Sequence, residues 1–571
     1  MPEVSRRTAL AGLGLGAAEV AARAGLARPS GSARRGPSHR EVTTRALVIG
    51  SGVGGAITAF RLSQAGVQTL VLERGRRWAV TPRGNTFAST ERLDGRALYL
   101  EPRAGRHGRM KGRTNLGVVE IVPGDGLPVV RGAGVGGGTL VYAGATIRPG
   151  EAVFRRILPT VGWESMDAEY YPRAARRLRA TPLPQDLLNH PHWTGVREFL
   201  AMGRAAGLRT ELVRQTVDWD VVRQELAGTR VPALSAGQYL LGVNSGARNS
   251  VDRTYLADAE RTGLVTVAPL HRVTGLTFDA ARRRYRVAVE RLDEHGAVAE
   301  YLTVTAGSVF CAAGSVGTAQ LLVAARQTGA LPELNEHVGR HWGGNGDAGW
   351  FYLNVPGAGG GRQGGGISAA VRDESDPAAP VTLEQAGVPV PLKTHAMPVL
   401  GMGFCAPAGE FRFHPATGAV RPTWPAAVEP TDAAGLRRMA LTLRAGSHST
   451  RPGPLAPLEG ALARLAGDVG RLTDRLGLSP SQNGVLRALL GIPRGGVDAT
   501  SVRFTGHPLG GAVLDAACDN HGRLRGYPGL YVMDAALIPA STGGVNPTWT
   551  IAALVERCLD TVLREDVGRL V

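Results

Sequence analysis

Cysteine and lysine are both scarce in this sequence of 571 residues. The four cysteines lie far apart and form no CxxC pair, so the sequence predicts neither a metal site nor a disulfide framework. Lysine occurs only at Lys111 and Lys393, and arginine therefore carries almost all of the formal net charge of +17. Because the arginines are scattered and form no recognisable nucleic-acid-binding module, we attribute the charge to composition and expect no nucleic-acid partner.

Long apolar runs are also absent, apart from a weakly hydrophobic stretch near the N-terminus. There Arg6 and Arg7 precede an Ala/Gly/Leu-rich run that Glu19 and Arg23 interrupt. Paired arginines before such a run are typical of a twin-arginine export signal, so residues 1–40 are predicted to be the signal and spacer of a secreted protein. A disordered arm on a cytoplasmic protein is the alternative.

The first strong motif begins with an apolar run at Ala46 that predicts a buried strand. Gly50, Gly52 and Gly55 follow it at GxGxxG spacing and open a helical pattern, and a second apolar run ends in Glu73. This is a complete dinucleotide-binding unit. Its glycines permit a tight turn, approach to a pyrophosphate and close packing of the helix, and Glu73 would accept hydrogen bonds from the adenosine ribose.

A second glycine-rich stretch begins at Arg131 and reads RGAGVGGGTLVYAGATIRP. Its glycine density exceeds what a turn requires, and such density is needed where a backbone lies against a flat ring or a pyrophosphate. We therefore predict that the following glycines touch the same cofactor: Gly134, Gly136, Gly137 and Gly138. A flexible surface loop is the alternative interpretation.

The stretch near the C-terminus combines an imidazole, an amide and a helix end. His507 opens a Pro-Leu-Gly-Gly turn, and Asn546 lies in a turn just before a helix predicted to begin at Pro547. Between them, a short apolar run ends in the carboxylate of Asp534. Because a helix N-terminus presents free N–H groups and a positive dipole end, the three groups could converge on an anionic or polarised ring system. A purely structural histidine is the alternative for His507.

In this order the motifs resemble the glucose–methanol–choline (GMC) class of FAD-dependent oxidoreductases. The resemblance runs from about Ala46 to Leu563 and is carried by GSGVGG with Glu73, RGAGVGGGTLV, NSVDRTYLADA, LNEHVGRHWGGNGD and the pairing HPLGG…LYVMDAALIP…GVNP. Within the class, the chain looks closest to the bacterial cholesterol oxidases that bind FAD non-covalently.

The resemblance implies a Rossmann-like α/β domain that binds FAD and a second, substrate-binding domain built on a largely antiparallel sheet. Both domains are expected to be discontinuous in the sequence. The FAD-binding domain would comprise residues 41–155, 246–346 and 501–571. The substrate domain would comprise residues 156–245 and 347–500, the latter with a lid or an insertion.

The resemblance also implies roles for single residues. His507 and Asn546 match the active-site histidine and asparagine of the family. The imidazole would take the hydroxyl proton or orient the alcohol, and the amide would hold the geometry for hydride transfer to the flavin. The other matched positions are expected to bind FAD: Val267, Asp534, Ala535 and Pro547. The implied reaction is oxidation of a secondary alcohol to a ketone, with hydrogen peroxide as a second product if oxygen re-oxidises the flavin.

Two departures from the family pattern concern the substrate. Cholesterol oxidases use a glutamate to shuttle a proton as a ring double bond shifts, and a count without gaps places Lys393 at that position. Because an ammonium group cannot accept a proton, we expect poor isomerisation or a substrate other than a Δ5-sterol. With a different alignment, Glu384 or Glu410 would supply the base and Lys393 would be an exposed loop residue. The family's Asn-Gly-Gly-Met is here Tyr142–Ala145, which changes the wall beside the flavin.

The leading prediction is an exported, monomeric FAD enzyme that oxidises a sterol or another bulky hydrophobic alcohol with oxygen. Its substrate would come from a lipid phase, so transient contact with membrane surfaces is expected. One alternative is a GMC dehydrogenase that passes electrons to another acceptor. A flavin- or sterol-binding protein without catalysis is a further alternative, and a nicotinamide-dependent enzyme is disfavoured by the second glycine stretch.

Overall fold

The structure is a computed structural model that describes residues 37–81, 83–90, 92–101, 103–104, 110–111, 114–352, 355, 363–387, 397–429, 431–446, 470–471, 474, 477–479, 482–485 and 504–571. The unit that carries the elements below is His39–Val571. The predicted export signal lies outside the described residues except at its C-terminal end, and it stays a prediction. Lys393 also lies outside them.

Short strands and helices alternate along the described chain. The strands are β1 Ser38–Ile49, β2 Thr69–Leu72, β3 Leu98–Leu100, β4 Arg103–Ala104, β5 Met110–Lys111, β6 Asn115–Leu116, β7 Val119–Val122, β8 Val129–Gly132, β9 Ala145–Thr146, β10 Thr181–Pro182, β11 Arg209–Leu212, β12 Arg214–Gln215, β13 Val265–Ala268, β14 His271–Asp279, β15 Arg284–Leu292, β16 Val298–Cys311, β17 Asp347–Tyr352, β18 Ile367–Asp373, β19 Val381–Ala386, β20 Met397–Met402, β21 Glu410–His414, β22 Ala419–Thr423 and β23 Leu530–Val532. The α-helices are α1 Val53–Gln64, α2 Glu151–Ile157, α3 Trp163–Ser165, α4 Tyr171–Leu178, α5 Gln185–Asn189, α6 Thr194–Ala205, α7 Trp219–Leu226, α8 Tyr255–Glu260, α9 Gly314–Gln327, α10 Ala433–Ala445 and α11 Thr548–Asp566. Single turns of 3₁₀ or π helix span Gly137–Leu140, Met166–Tyr170, Pro191–Trp193, Leu234–Ala236 and Ala535–Leu537.

A seven-stranded sheet forms the predicted dinucleotide-binding domain, in the order β13-β2-β1-β16-β15-β14 with β23 paired to β16. β2 pairs in parallel with β1 and β13, and β23 pairs in parallel with β16. β14, β15 and β16 form an antiparallel edge. Ala46–Ile49 and Leu530–Val532 are apolar and buried, as strands covered on both faces must be. The sheet confirms the Rossmann-like prediction.

Helices α1, α8 and α11 meet at one buried carboxylate, that of Glu556 on α11. Its Oε1 accepts a hydrogen bond from the Tyr255 hydroxyl at 2.9 Å, and its Oε2 lies 2.5 Å from Nη1 of Arg61 on α1. The side chain of Glu556 is only 1% exposed. Because a buried carboxylate is stable only when it is paired, this ion pair joins the first helix of the domain to its last.

Replacing Glu556 by alanine is expected to lower the free energy of unfolding by about 3 kcal/mol, because Tyr255 would lose its acceptor and Arg61 one of its two carboxylate partners in a buried place. Urea unfolding of wild type and variant measures the change. The matched control is Glu151→Ala, which removes an exposed pair with Arg155 and should leave the free energy of unfolding nearly unchanged. Equal losses in the two variants would contradict the structural role of Glu556.

A five-stranded sheet in the order β11-β18-β19-β20-β17 lies at the centre of the predicted substrate domain. All its pairings are antiparallel, which confirms the predicted sheet. In β19, Leu383 packs into the hydrophobic cluster that includes α6 and α10. Since side chains alternate along a strand, Glu384 faces the opposite side. That side carries a separate aliphatic cluster, which includes Ile367, Ala370 and Val545.

The remaining sheets are small and pair β6-β3-β7-β8, β10-β12-β9, β21-β22 and β4-β5. None of the helices in the described part of the chain has the length and apolar character needed to cross a membrane. The predicted lid beyond α10 falls largely outside the described residues. The domain boundaries given by the resemblance stay predictions.

Candidate functional site

The glycines of the GxGxxG motif form the turn between β1 and α1. Gly50 has a φ of +99°, a left-handed backbone that favours glycine. A Cβ atom at Gly55 would collide with the Gly50 carbonyl oxygen, so glycine lets α1 approach the sheet. At Gly52, the nearest atom to such a Cβ would be Gly137 Cα at 4.0 Å. The backbones of Gly52 and the second glycine stretch therefore lie close together, and the groove is the open space beside them.

The second glycine stretch forms the other wall of this groove. A Cβ atom at Gly137 would lie 2.8 Å from Gly52 Cα, whereas one at Gly138 would meet nothing within 4 Å. Gly134 and Gly136 precede the short helix Gly137–Leu140, and both have positive φ angles. A side chain at Gly134 would collide with Trp78, and one at Gly136 would press against Asp252, so packing favours glycine at both positions.

Glu73 fastens the two glycine stretches to each other. Its Oε2 accepts a hydrogen bond from the Ser51 hydroxyl at 2.7 Å, and its Oε1 accepts one from the Gly75 N–H at 2.9 Å. The Ser51 oxygen in turn accepts the Gly136 N–H at 3.2 Å. Glu73 thus lies at the end of the groove, and its predicted bond to a ribose stays a prediction.

The other residues predicted to bind FAD lie in strands or just after them. Val267 lies in β13 beside β2. Asp534 follows β23 and accepts a hydrogen bond from the Thr318 hydroxyl at 2.5 Å. Burial raises the pKa of Asp534 to about 6. Ala535 begins the next turn of 3₁₀ helix, and Pro547 directly precedes α11.

Asp347, the first residue of β17, is hydrogen-bonded to His507, which lies 160 positions later in the chain. Its Oδ1 lies 2.8 Å from Nδ1 of His507, and its Oδ2 accepts the Gly506 N–H at 2.9 Å. The Thr505 hydroxyl lies 3.0 Å from the same Oδ2. The His507 side chain is 21% exposed, so it can be reached from outside. Because Nδ1 donates to the carboxylate, Nε2 is left as the acceptor of the neutral ring.

The carboxylates around His507 control its protonation. Burial lowers the pKa of His507, but the Asp347 and Glu384 carboxylates outweigh burial and raise it above its ordinary value. A raised pKa means that the imidazolium is stabilised once a proton has been taken up. The ring therefore becomes a free base only at a higher pH than an ordinary histidine.

Glu384 and Asn546 form a second pair beside His507. The Asn546 amide Nδ2 donates to Glu384 Oε2 at 3.2 Å. Burial raises the pKa of Glu384 to about 8, although the Asn546 bond and the His507 charge oppose the increase. Glu384 Oε1 and Asn546 Oδ1 are buried without a hydrogen-bond partner in the described part of the chain. Two such oxygens side by side mark a place where a ligand completes the hydrogen bonding.

Asn345 fixes the turn that carries Asn546. Its Oδ1 accepts the Thr542 N–H at 2.8 Å, and its Nδ2 donates to the Val545 carbonyl oxygen at 2.8 Å. Asn345 itself has a φ of +57°, a conformation that asparagine tolerates better than most residues. One short segment thus positions both predicted catalytic residues, through Asn345 on one side and Asp347 on the other.

The structure brings His507 and Asn546 into one site, where Asp347 and Glu384 hold them. From the sequence, Glu384 is predicted only as an alternative base, and Asp347 is not predicted at all. The signal for Asp347 is its place in the GGNGD motif that carries the family resemblance. Glu410 lies in β21, where Arg412 pairs with it.

The groove and its surroundings fit FAD. The N-terminus of α1 has no side-chain cap, so its free N–H groups are available to a diphosphate in the groove. Gly52 and Gly138 leave room where side chains would block the pyrophosphate. The unpartnered Asn546 oxygen and the uncapped start of α11 lie together at Pro547 and could serve the polar edge of a flavin.

Comparison with protein families gives a match over both ends of the chain. Residues 44–340 and residues 481–554 match two models described as GMC oxidoreductase. A protein named cholesterol oxidase from Mycobacterium tuberculosis (strain ATCC 25618 / H37Rv) is 28% identical over 559 residues, which cover 90% of this chain and 89% of that protein. A cholesterol oxidase from Acinetobacter baumannii is 24% identical over 335 residues, which cover 51% of this chain and 52% of that protein.

Solved structures show the same fold at low sequence identity. Pyridoxine 4-oxidase from Mesorbium loti has a TM-score of 0.55 at 16% identity, over 91% of this chain and 99% of that one. A variant of Aspergillus oryzae formate oxidase has a TM-score of 0.57 at 14% identity, over 94% of this chain and 100% of that one. Together with the family match over more than half of its residues, these features show that the chain belongs to the GMC oxidoreductases, FAD-dependent enzymes that act on CH–OH donors.

Proposed function

We propose that this protein oxidises the hydroxyl group of a 3β-hydroxysteroid to a ketone, with oxygen as the electron acceptor and hydrogen peroxide as the second product. The observation that carries the proposal is the pair of hydrogen-bonded dyads, Asp347–His507 and Glu384–Asn546, at one site. The similarity to proteins named cholesterol oxidase supports the steroid substrate.

His507 is the base for the hydroxyl proton. The alcohol O–H donates to Nε2, and the O–H bond breaks as the carbonyl bond forms. The two electrons and the hydrogen of the carbinol C–H bond leave the carbon at the same stage. Asp347 keeps the ring in the tautomer that accepts at Nε2 and stabilises the imidazolium that results. The groove would hold FAD non-covalently, and the cofactor would supply the acceptor for the hydride and the route of both electrons to oxygen.

Glu384 is the base for a shift of the ring double bond. Its carboxyl lies beside Asn546, in a buried place where its pKa is about 8. A carboxylate with a raised pKa is a stronger base than an exposed one, and it can take a proton from the ring carbon next to the new ketone and return it further along the ring. The alignment that placed Lys393 at the position of the base led us to expect poor isomerisation. With Glu384 as the base, we instead expect isomerisation and the conjugated ketone as product.

The aliphatic cluster beside these dyads suits an apolar substrate. It contains Val213, Ile367, Ala370 and Val545, and Ala145 stands where the family has methionine. Aliphatic walls of this kind bury the body of a hydrophobic alcohol and leave the polar groups to fix its orientation.

Aerobic turnover of cholesterol by the FAD-loaded protein tests the proposal, with peroxide and steroid products followed together. We expect peroxide in equal amount to the ketone, the conjugated 4-en-3-one as the main product, and release of all FAD on heat denaturation. Turnover with an artificial acceptor but none with oxygen would show a dehydrogenase instead. Absence of any oxidation, with or without oxygen, would refute the steroid substrate.

A further inference from the structure

Arg248 is a buried cation that the reaction described above does not use. Its backbone bridges to Val217, and only 3% of its surface is exposed. The guanidinium carbon lies 5.1 Å from the centre of the Tyr142 ring. A Cβ atom at Gly144 would collide with its Nη1, so glycine at this position makes room for the guanidinium. The side chain thus points into the protein and lies against the segment that replaces the family's Asn-Gly-Gly-Met.

The guanidinium has no hydrogen-bond acceptor in the described part of the chain. Its Nε, Nη1 and Nη2 atoms are all buried and unpartnered. The Tyr142 hydroxyl is paired with Thr216 instead. Burying a guanidinium without a carboxylate is unfavourable, and the contact with an aromatic ring offsets only part of that cost. Arg248 therefore has the properties of a site for an anion.

Two carboxylates lie close enough to act on the tyrosines around Arg248, but neither pairs with it. Burial raises the pKa of Tyr142, and Asp252 adds a smaller increase. Burial also raises the pKa of Tyr239, and there Glu384 adds the smaller increase. Asp252 lies against the second glycine stretch, where its Oδ1 would be 3.0 Å from a Cβ at Gly136. Glu384 is hydrogen-bonded to Asn546. The chain thus places no described carboxylate on the guanidinium.

Arg248 and the catalytic dyads border the same region. Tyr239 interacts electrostatically with both Arg248 and Glu384, and so lies near both of them. Ala143, next to the glycine that admits the guanidinium, packs against the aliphatic cluster that contains Val545. Val545 directly precedes Asn546. The aliphatic cluster thus extends from the neighbour of Gly144 to the neighbour of Asn546.

We propose that Arg248 binds a carboxylate of the alcohol substrate, so that hydroxy acids are better substrates than the corresponding neutral alcohols. The hydroxyl lies at His507, the apolar body lies along the aliphatic cluster, and the carboxylate pairs with the planar fork of the guanidinium, whose geometry matches it. This inference rests on the proposed alcohol oxidation and narrows its substrate class.

Binding of acids that cannot be oxidised gives the first test. A steroid with a side-chain carboxylate but no hydroxyl, and its methyl ester, are titrated into FAD-loaded protein while the flavin absorbance is followed. We expect the acid to bind about 100-fold more tightly than the ester, the effect of charge-assisted hydrogen bonds in a buried site. In Arg248→Met the two should bind alike. The control Arg282→Gln, an arginine whose side chain is 79% exposed, should keep the preference.

Turnover gives the second test. Two acids are each compared with their methyl ester: a short 3-hydroxy acid, and a 3β-hydroxysteroid that carries a side-chain carboxylate. In at least one pair, kcat/KM for the acid should exceed that for the ester about 100-fold. The ratio should fall close to one in Arg248→Met and stay unchanged in Arg282→Gln. The flavin spectrum and FAD content of each variant verify its folding.

The outcomes separate this inference from the proposed function. Esters oxidised as well as acids in both pairs by the wild type would overturn the role of Arg248 and leave alcohol oxidation in place. A variant that lowers turnover of acid and ester by the same factor would also overturn it, because the guanidinium would then act on the flavin or the fold. Tight, Arg248-dependent binding of the acid without oxidation of any alcohol would support the anion site and refute the proposed function.

Discussion

Replacing His507 by glutamine is expected to lower the rate of flavin reduction by the alcohol about 1000-fold, because an amide can hold the hydroxyl in place but cannot take its proton. Stopped-flow mixing of FAD-loaded protein with substrate in the absence of oxygen measures this step directly. The control His295→Gln changes an exposed histidine in the hairpin turn between β15 and β16 and should leave the rate as it is.

The pH profile of the same step provides an independent check on His507. Since neighbouring carboxylates raise the pKa of His507, the rate should rise with pH and level off only above the ordinary range for histidine. In His507→Gln this rise should disappear. A glutamine variant that reduced its flavin as fast as the wild type, with the same profile, would show that His507 does not accept the proton.

Replacing Glu384 by glutamine is expected to slow the double-bond shift about 1000-fold, so that the unshifted 5-en-3-one accumulates, because an amide has no basic oxygen for the ring proton. Adding purified 5-en-3-one and following the absorbance of the conjugated product isolates this step. The base form of Glu384 develops as pH rises through about 8, so the wild-type rate should increase over that range.

Two further variants decide which residue is the base. Glu410→Gln alters a carboxylate that is paired with Arg412 in β21, and it should isomerise like the wild type. Lys393→Met tests the position that the gap-free count assigns to the base. Loss of the shift in Lys393→Met, with the shift intact in Glu384→Gln, would reverse the assignment made from the structure.

The cofactor-binding half of the fold was largely predictable because its signals are local. The glycines from Gly50 to Gly55, the acid at Glu73 and the strands on either side occupy one continuous stretch, and each residue type has a backbone or packing reason for its place. The structure has the predicted strand at Thr69–Leu72, and the helix that ends at Gln64 begins at Val53. Local order of this kind needs no knowledge of distant contacts.

The base was harder to predict because its position depends on an alignment without gaps. The count that led to Lys393 runs back from Gly409, and a single insertion or deletion within that stretch moves the position assigned to the base. A physical signal was nevertheless present: Glu384 is a lone acid in the otherwise uncharged run Val381–Ala386, and a carboxylate buried in a strand is rarely there for packing.

Arg248 gave no sequence signal, and Asp347 gave one only as part of the GGNGD motif. Arginine is usually exposed, so nothing in the stretch around Arg248 indicates a buried and unpaired guanidinium. The partner of Asp347 is His507, 160 positions away, and such a pairing emerges only when the chain has folded. The sequence therefore predicts His507 and Asn546 as candidate catalytic residues, but not the charged residues that the structure places beside them.

The two dyads, Asp347–His507 and Glu384–Asn546, also join parts of the chain that are 160 and 162 positions apart. Asn345 adds two bonds to the turn before Asn546 across similar spans. Closing loops of this length costs chain entropy that only the completed packing of both sheets can offset. All four residues of the dyads lie between positions 347 and 546, so recovery of turnover after denaturation reports the assembly of these distant segments around the cofactor-binding sheet rather than the folding of one segment alone.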